Sequence, residues 1–211
     1  MKMSLIQAQG MDKNLLRNGD IILFHTKGFS LISWGIRLLT ESFWNHAGCY
    51  VVDVNKKGYV IEALGRGVSK TPIEKYVSNK NYTLKVVRLI PEAFKNDKEY
   101  FDALVTATNR IEGEVGKKYD WWAIAWLGFI YLGKGSYKKS RKHIPIGNPL
   151  QSRNKFFCSE LVCSAFQGLS SIIENLFAGE KYPEADCSTI TPKDCNKSKW
   201  VETIWGRNDI L

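Results

Sequence analysis

The chain has 211 residues, of which 44% are hydrophobic and 24% are charged. This composition excludes a largely disordered protein, because disordered chains lack the apolar residues that offset the entropy of ordering, and the length predicts one domain around one core. The net charge is +9, which favours contact with something anionic but does not choose among a membrane surface, a nucleic acid and an acidic cell-wall polymer.

The first 20 residues, MKMSLIQAQGMDKNLLRNGD, contain no continuous apolar run of the kind that a secretory signal needs. We therefore predict a cytoplasmic protein, with residues 1–14 as an N-terminal extension and residues 15–211 as a single domain. Five cysteines at irregular spacing predict no disulfide framework. With no CxxC pair and only three histidines, the sequence shows no zinc-ligand spacing, and we expect neither a metal nor a cofactor.

Hydrophobic patterns in the first half of the chain predict strands and two helices. DIILFH, residues 20–25, follows an Asn-Gly turn signal and predicts a buried strand. NHAGCYVV and GYVIEAL are separated by turn residues and predict a β-hairpin, and YTLKVVRLI, residues 82–90, predicts a further strand. Apolar residues spaced by three and four predict helices over residues 29–40 and 98–115, the second ending at Gly116.

The most apolar segment is WWAIAWLGFIYL, residues 121–132, which is shorter than the roughly 20 residues that span a bilayer as a helix. We favour a buried core helix over an interfacial membrane anchor, an alternative that the tryptophans and the adjoining basic sequence leave open. That sequence is KGSYKKSRKH, residues 134–143, within a Gly- and Pro-containing basic loop at about residues 133–150. We interpret the loop as solvated surface rather than a dedicated binding patch.

A helix is predicted to begin near Cys158, in FFCSELVCSAFQGL, residues 156–169. A thiol is an effective nucleophile only as a thiolate, and both a helix N-terminus and a nearby imidazolium lower its pKa. On helix position alone, the favoured interpretation is a small buried hydrophobic residue, which is the ordinary state of a cysteine in an apolar helix.

Two polar residues of the predicted hairpin change that balance. Alternation along its first strand places His46, Gly48 and Tyr50 on one face. Glu62 is a carboxylate in an otherwise apolar strand, and orienting a histidine would explain its presence. An odd number of loop residues puts Glu62 on the His46 face, whereas an even number puts it on the other. With a three-residue loop, 55–57, Glu62 lies opposite Tyr50 and diagonal to His46.

Three short motifs then resemble a known family. LRNGDIILF, NHAGCYVV followed by YVIEA, and FFCSEL are similar to the permuted branch of the NlpC-type cell-wall peptidase superfamily, often called YiiX-like. The resemblance covers roughly residues 15–200. It implies an α+β, circularly permuted papain-like fold, with an antiparallel sheet packed against helices and the nucleophile at a helix N-terminus. Papain has the order Cys, His, Asn, whereas this branch has the order His, polar residue, Cys, which matches His46, Glu62 and Cys158.

The resemblance implies a role for each of these residues. Cys158 would be the nucleophile, and its backbone N–H would help to form an oxyanion hole. His46 would be the general base and then the general acid, and Glu62 would orient it. The resemblance also places Tyr119, in GKKYD, near the cleft, although a packing role for this tyrosine stays open. Ser159 is a further candidate for substrate binding, the oxyanion hole or support of the helix start.

Two other polar residues of the first strand need an interpretation. His25 ends that strand and is the rival base, but the motif match favours His46. Asp20 is interpreted as a turn and strand-start residue rather than a catalyst.

Three functions follow from these patterns. The first is a peptidase or amidase acting on small peptides such as cell-wall fragments. The second is an acyltransferase, thioesterase or lipid hydrolase that uses the same site at a membrane surface, with the basic loop contacting anionic groups. The third, ranked last, is a non-catalytic basic binding module; nucleic acid is not expected as a partner, because the basic residues lack interleaved aromatic residues for base stacking.

Overall fold

A six-stranded antiparallel sheet forms the centre of the protein. The computed structural model describes residues 11–26, 42–134, 148–152, 154–179 and 185–206. The strands of the sheet are β1 (Ile21–Thr26), β2 (His46–Val52), β3 (Gly58–Leu64), β4 (Gly67–Pro72), β5 (Tyr82–Leu89) and β8 (Val201–Trp205). Their order across the sheet is β4-β3-β2-β1-β5-β8. The three predicted strand regions are confirmed, while β4 and β8 were not predicted.

Helices and a short second sheet surround these strands. The helices are α1 (Glu74–Val77), α2 (Asp97–Gly113), α3 (Trp121–Lys134), α4 (Cys158–Phe166) and α5 (Pro192–Lys197), and β6 (Lys118–Tyr119) pairs in parallel with β7 (Lys155–Phe156). Helix α2 begins one residue before the predicted start and ends at Gly113 rather than at Gly116, and the side chain of Asn96 caps its start by accepting a hydrogen bond from the N–H of Glu99. Helix α4 begins at Cys158, as predicted.

The alternation of side chains along the strands divides the core between the two faces of the sheet. Residues such as Leu23, Ala47 and Ile61 are fully buried on one face, where they belong to the same apolar cluster as residues of α2 and α4. Phe24 and Val60 lie in a second cluster on the opposite face, together with Met11, Ile73, Tyr76 and other buried residues. The predicted packing of an antiparallel sheet against helices is therefore confirmed.

Asp20 stabilises the start of β1. Its carboxylate is buried and accepts hydrogen bonds from Arg88 Nε at 2.7 Å, Arg88 Nη2 at 2.9 Å and the backbone N–H of Arg17 at 2.8 Å. Asp20 in turn raises the pKa of Arg88. Because both oxygens of the carboxylate accept hydrogen bonds within the fold, Asp20 is interpreted as a strand-start residue rather than a catalyst.

The sequence predicts no disulfide framework, but one disulfide bond is present. Cys163 on α4 is bonded to Cys187, with their Cα atoms 5.4 Å apart. These residues are 24 positions apart in the sequence, and their spacing carries no signal, because only the folding of the turn Cys187–Thr189 onto α4 brings them together. The bond ties the C-terminal part of the chain to the helix that carries Cys158.

Helix α3 is buried on one face only. Ala123 and Leu127 are fully or almost fully buried, whereas Trp122 is 68% exposed and Phe129 is 74% exposed. The predicted burial of this helix therefore holds for one face of α3, whereas the aromatic residues on the other face are exposed. No helix within the described ranges is both long and apolar enough to cross a bilayer. The helix predicted over residues 29–40 and most of the basic loop lie outside the described residues.

Candidate active site

The hairpin of β2 and β3 has an odd number of loop residues, as the site requires. Cys49 lies opposite Ile61 and Val52 lies opposite Gly58, which leaves a five-residue loop, 53–57. The loop is longer than the three residues considered above, because Asp53 Oδ1 accepts hydrogen bonds from the N–H groups at positions 55 and 57 and closes the wider turn. An odd loop keeps Glu62 on the same face as His46. In this register Glu62 lies opposite Gly48 instead of Tyr50, which brings it closer to His46.

His46 and Glu62 are in direct contact. The Nε2 atom of His46 lies 2.7 Å from Oε2 of Glu62, and the carboxylate is fully buried while the imidazole is 17% exposed. Gly48 makes room for this contact: a Cβ atom there would lie 2.5 Å from Val60 Cγ1 and 3.2 Å from Glu62 Cβ. The diagonal pair therefore meets without the β-bulge that a looser register would need.

Glu62 is held as a buried carboxylate. Burial raises its pKa, but hydrogen bonds from His46, Tyr76 and Thr71 outweigh this effect and hold the pKa below its usual value. The Tyr76 hydroxyl donates to Oε1, the oxygen that His46 does not use. Tyr76 itself packs edge-on against Phe24, 4.8 Å between ring centroids, and Phe24 also contacts the His46 ring. The carboxylate and the imidazole are thus fixed in orientation as well as in charge.

Cys158 lies at the first residue of α4, and its thiol faces His46. Burial raises the pKa of the thiol, yet the hydrogen bond and charge of His46, with the backbone N–H groups of Ala47 and Ser159, lower it below its ordinary value. Burial likewise lowers the pKa of His46, while its contacts with Cys158 and Glu62 raise it overall. Because Glu62 occupies Nε2, Nδ1 is the ring nitrogen left for the thiol. These shifts favour a thiolate–imidazolium pair.

The other cysteines have no such setting. Cys49 and Cys195 are buried free thiols whose pKa values are raised, chiefly by burial. Cys163 and Cys187 are bonded to each other. Cys158 is therefore the only one of the five whose thiolate is favoured.

A cavity of about 260 Å³ opens onto the three candidate residues. Its other lining residues come from several elements: Thr26, Asn45, Ala63, Leu64, Gly65, Lys75, Tyr76, Tyr82, Tyr119 and Trp121. Tyr119 lies on the wall, where its ring packs 4.7 Å from that of Trp121. Burial and the nearby charge of Cys158 raise the pKa of Tyr119, so its hydroxyl keeps a proton that it can donate. The cleft thus combines a nucleophile with hydrogen-bond donors and aromatic walls.

Ser159 and Glu160 support the helix start instead of lining the cavity. The hydroxyl of Ser159 donates to the carbonyl of Ile190 at 2.7 Å, while its backbone N–H lowers the pKa of the Cys158 thiol. Glu160 accepts from the N–H of Phe157 at 3.2 Å and from the Gln151 side chain at 2.7 Å, and burial raises its pKa to about 7. The expectation that the Ser159 side chain binds substrate or an oxyanion does not fit this geometry.

His25, the rival base, does not line the cavity. Its Nδ1 atom lies 2.8 Å from the carbonyl oxygen of Phe43, and the two rings are stacked with centroids 3.9 Å apart. These contacts with Phe43 account for His25 as a structural residue.

Sequence reasoning missed the residues that support the trio. Tyr76 lies in a four-residue helix, and no spacing connects it with Glu62, 14 positions earlier. Thr71 lies on β4, a strand that was not predicted. Asn45, which lines the cavity, was within reach, because it directly precedes His46 in the quoted motif.

The comparisons with known proteins were made against families, curated sequences and solved structures. The sequence model of a family of permuted papain-like amidase enzymes, YaeF/YiiX, the C92 family, matches residues 15–123. No curated protein sequence matches the chain. A crystal structure described as the metalloprotein yiiX from Escherichia coli O157:H7 matches over 90% of this chain and 97% of its own, with 20% identity and a TM-score of 0.57.

At that identity the structural match supports the fold alone. It extends the permuted papain-like topology beyond the 109 residues of the family match to most of the chain. The similar structure is described as a metalloprotein, but the described part of this chain has no group of three or more His, Cys, Asp or Glu residues that could hold a metal ion.

Proposed function

Because this chain belongs to the family of permuted papain-like amidases, we propose that it hydrolyses an amide bond through an acyl-enzyme on Cys158. The observation that carries the proposal is the Glu62–His46 hydrogen bond in the same cavity as Cys158, with the cysteine pKa lowered and the histidine pKa raised. The family match includes His46 and Glu62, whereas Cys158 lies beyond it. The assignment of the nucleophile therefore rests on geometry and on the motif order.

The first half of the reaction forms the acyl-enzyme. The Cys158 thiolate attacks the amide carbonyl carbon, and the carbonyl electrons move to oxygen to give a tetrahedral oxyanion near the start of α4, where the Cys158 backbone N–H would stabilise it. The imidazolium of His46 then gives its proton to the leaving nitrogen as the C–N bond breaks. Glu62 keeps the imidazole oriented and offsets its positive charge before that transfer.

The second half releases the product. Neutral His46 removes a proton from a water molecule, which attacks the thioester carbonyl and displaces the Cys158 thiolate as the acid forms. The imidazolium is restored in the same step, so the starting charge pair is regenerated. No metal takes part in this scheme.

The cleft supports a small substrate. Its volume of about 260 Å³ is near the lower limit of roughly 300 Å³ for small-molecule pockets, which suits a few atoms on each side of the scissile bond. Small peptides, including cell-wall fragments, fit this description. The wider relation to NlpC-type enzymes, which suggested that substrate, stays a prediction.

Matched amide and ester substrates with the same acyl group test the proposal. The native protein is expected to hydrolyse both, with a thioester adduct on Cys158 detectable by mass spectrometry after acid quench. Cys158→Ala should abolish turnover, whereas Cys195→Ala, which alters another buried thiol, should retain it. Hydrolysis of the ester without any hydrolysis of the amide would contradict an amidase.

A second function is favoured by the exposed aromatic residues of α3. Trp121 lines the cleft, while Trp122 and Phe129 on the same helix face solvent. Tryptophan at an exposed helix surface is typical of membrane interfaces, and the net charge of +9 suits anionic lipid. Under this alternative the Cys158 site transfers or hydrolyses a lipid acyl, ester or thioester group. Stronger binding of native protein than of Trp122→Ala to anionic vesicles would support it.

The cytoplasmic location stays a prediction. The Cys163–Cys187 bond is more typical of proteins from oxidising compartments. Alkylation of the protein in intact cells, followed by mass spectrometry, would show whether these two sulfurs are bonded there.

A further inference from the structure

Asn45 carries a buried hydrogen-bond donor without a partner. The residue is 3% exposed, and its Nδ2 atom has no hydrogen-bond partner in the part of the chain that the structure describes. Buried side-chain donors are nearly always paired, so a lone one needs an explanation. Asn45 lines the same cavity as Cys158 and His46, which supplies one.

The rest of Asn45 is held in place. Its backbone N–H donates to the carbonyl of Phe24 at 3.0 Å, and its Oδ1 atom accepts from the N–H of Thr26 at 3.3 Å. These two bonds fix the side chain against β1 and identify the NH₂ group as the end that is left over. Because the fold already orients this donor, binding a ligand does not require further ordering of the side chain.

Asn45 directly precedes β2 and lines the cavity beside His46 and Cys158. The backbone N–H of Ala47, two residues further along the chain, lowers the pKa of the Cys158 thiol. Asn45 thus belongs to the short stretch of chain that runs past the nucleophile, one residue before its base.

We propose that the Nδ2 group of Asn45 donates a hydrogen bond to the substrate carbonyl oxygen and, with the Cys158 backbone N–H, completes the oxyanion hole. The inference rests on the proposed acyl-enzyme chemistry, because an oxyanion forms only if Cys158 attacks a carbonyl. The ligand class is a planar acyl group whose oxygen becomes tetrahedral and negative, and the unpaired donor gains its partner as that charge develops.

Two reagents separate this role from activation of the thiol. Acylation by p-nitrophenyl acetate passes through an oxyanion, whereas alkylation by iodoacetamide displaces iodide and forms none. Asn45→Ala is expected to slow acylation of Cys158 by about 10²- to 10³-fold, as loss of one oxyanion donor does elsewhere, and to leave the alkylation rate unchanged. A residue that only maintained the thiolate would slow both reactions together.

A second variant guards against misfolding. Asn45→Asp keeps the oxygen that accepts from Thr26 but replaces the NH₂ donor with a negative atom, so acylation should fall at least as far as in Asn45→Ala. The loss should exceed that of Tyr119→Phe, which removes another donor on the cavity wall. Unchanged circular dichroism of both Asn45 variants would complete the support.

The outcomes are distinct. Acylation of either Asn45 variant at the native rate would overturn the inference, as would parallel loss of acylation and alkylation in Asn45→Ala, or a larger loss in Tyr119→Phe. Native acylation that persists in Cys158→Ala would instead overturn the proposed function, and the inference with it.

Discussion

Replacing Glu62 with Gln tests whether a buried charge sustains the cysteine thiolate. The substitution keeps the size of the side chain but leaves it one acceptor oxygen, which cannot serve both His46 and Tyr76, and it removes the negative charge that faces the imidazolium at 2.7 Å. A hydrogen bond to a charged group contributes about 1.5–3 kcal/mol, against about 1 kcal/mol for a neutral one. The imidazolium should therefore lose roughly 1–2 kcal/mol of stabilisation.

The consequence for Cys158 has a definite sign. Its pKa is lowered in the native protein because His46 is protonated beside it. A weaker imidazolium stabilises the thiolate less, so the pKa of Cys158 should rise, by about one unit for each 1.4 kcal/mol. The rate of iodoacetamide alkylation at Cys158, measured against pH, should accordingly show its midpoint about one unit higher in Glu62→Gln than in the native protein.

Glu112→Gln is the matched control. This carboxylate also pairs with a cation, Lys70 at 2.7 Å, but it is 38% exposed on α2 and does not line the cleft. Its substitution should leave the alkylation profile of Cys158 unchanged. Identical midpoints for native protein and Glu62→Gln, with both variants folded, would refute the argument that Glu62 acts through His46 on the thiol.

Three further substitutions probe the support of the site. Tyr76→Phe removes a hydrogen bond to the buried carboxylate and should slow hydrolysis by up to about tenfold, as judged from the roughly 1 kcal/mol value of such bonds; native kinetics would argue against its positioning role. Gly48→Ala places a Cβ atom 2.5 Å from a neighbouring side chain and should destabilise the fold by about 1–3 kcal/mol in urea unfolding, whereas an unchanged midpoint would show that the hairpin adapts. The Cys163→Ser, Cys187→Ser double variant opens a loop whose ends are 24 residues apart and should lose about 3 kcal/mol, a loss that reductant should reproduce in the native protein; equal stability with and without reductant would contradict it.

The sequence was most informative where one pattern had one structural outcome. The apolar run before His25 correctly predicted a buried strand, and FFCSEL correctly indicated a helix start at Cys158. The turn residues predicted the hairpin, but they left open whether its loop is odd or even, and they did not determine the register. It depended on Asp53, whose side chain closes a five-residue loop, a contact that a propensity argument does not weigh.

The remaining features depend on contacts between distant parts of the chain. Tyr76 reaches Glu62 across the space between a short helix and a strand, and Cys187 reaches Cys163 only after the C-terminal part has folded onto α4. Neither pairing leaves a periodic signal. Asn45 is different, since it stands next to the predicted base, yet the significance of its unpaired NH₂ group emerges only when burial and hydrogen bonds are counted together.

The most direct test of the account compares the reactivity of Cys158 in the folded and the urea-unfolded protein near pH 6. Iodoacetamide labelling followed by peptide mapping gives the rate at each free cysteine, and Cys49 and Cys195 serve as buried controls within the same sample. An activated thiolate reacts faster in the folded state despite its burial, whereas an ordinary buried thiol reacts more slowly. The account predicts faster labelling of Cys158 in the folded protein and slower labelling of the two controls. Protection of Cys158 to the same degree as Cys49 and Cys195 would contradict its assignment as the nucleophile.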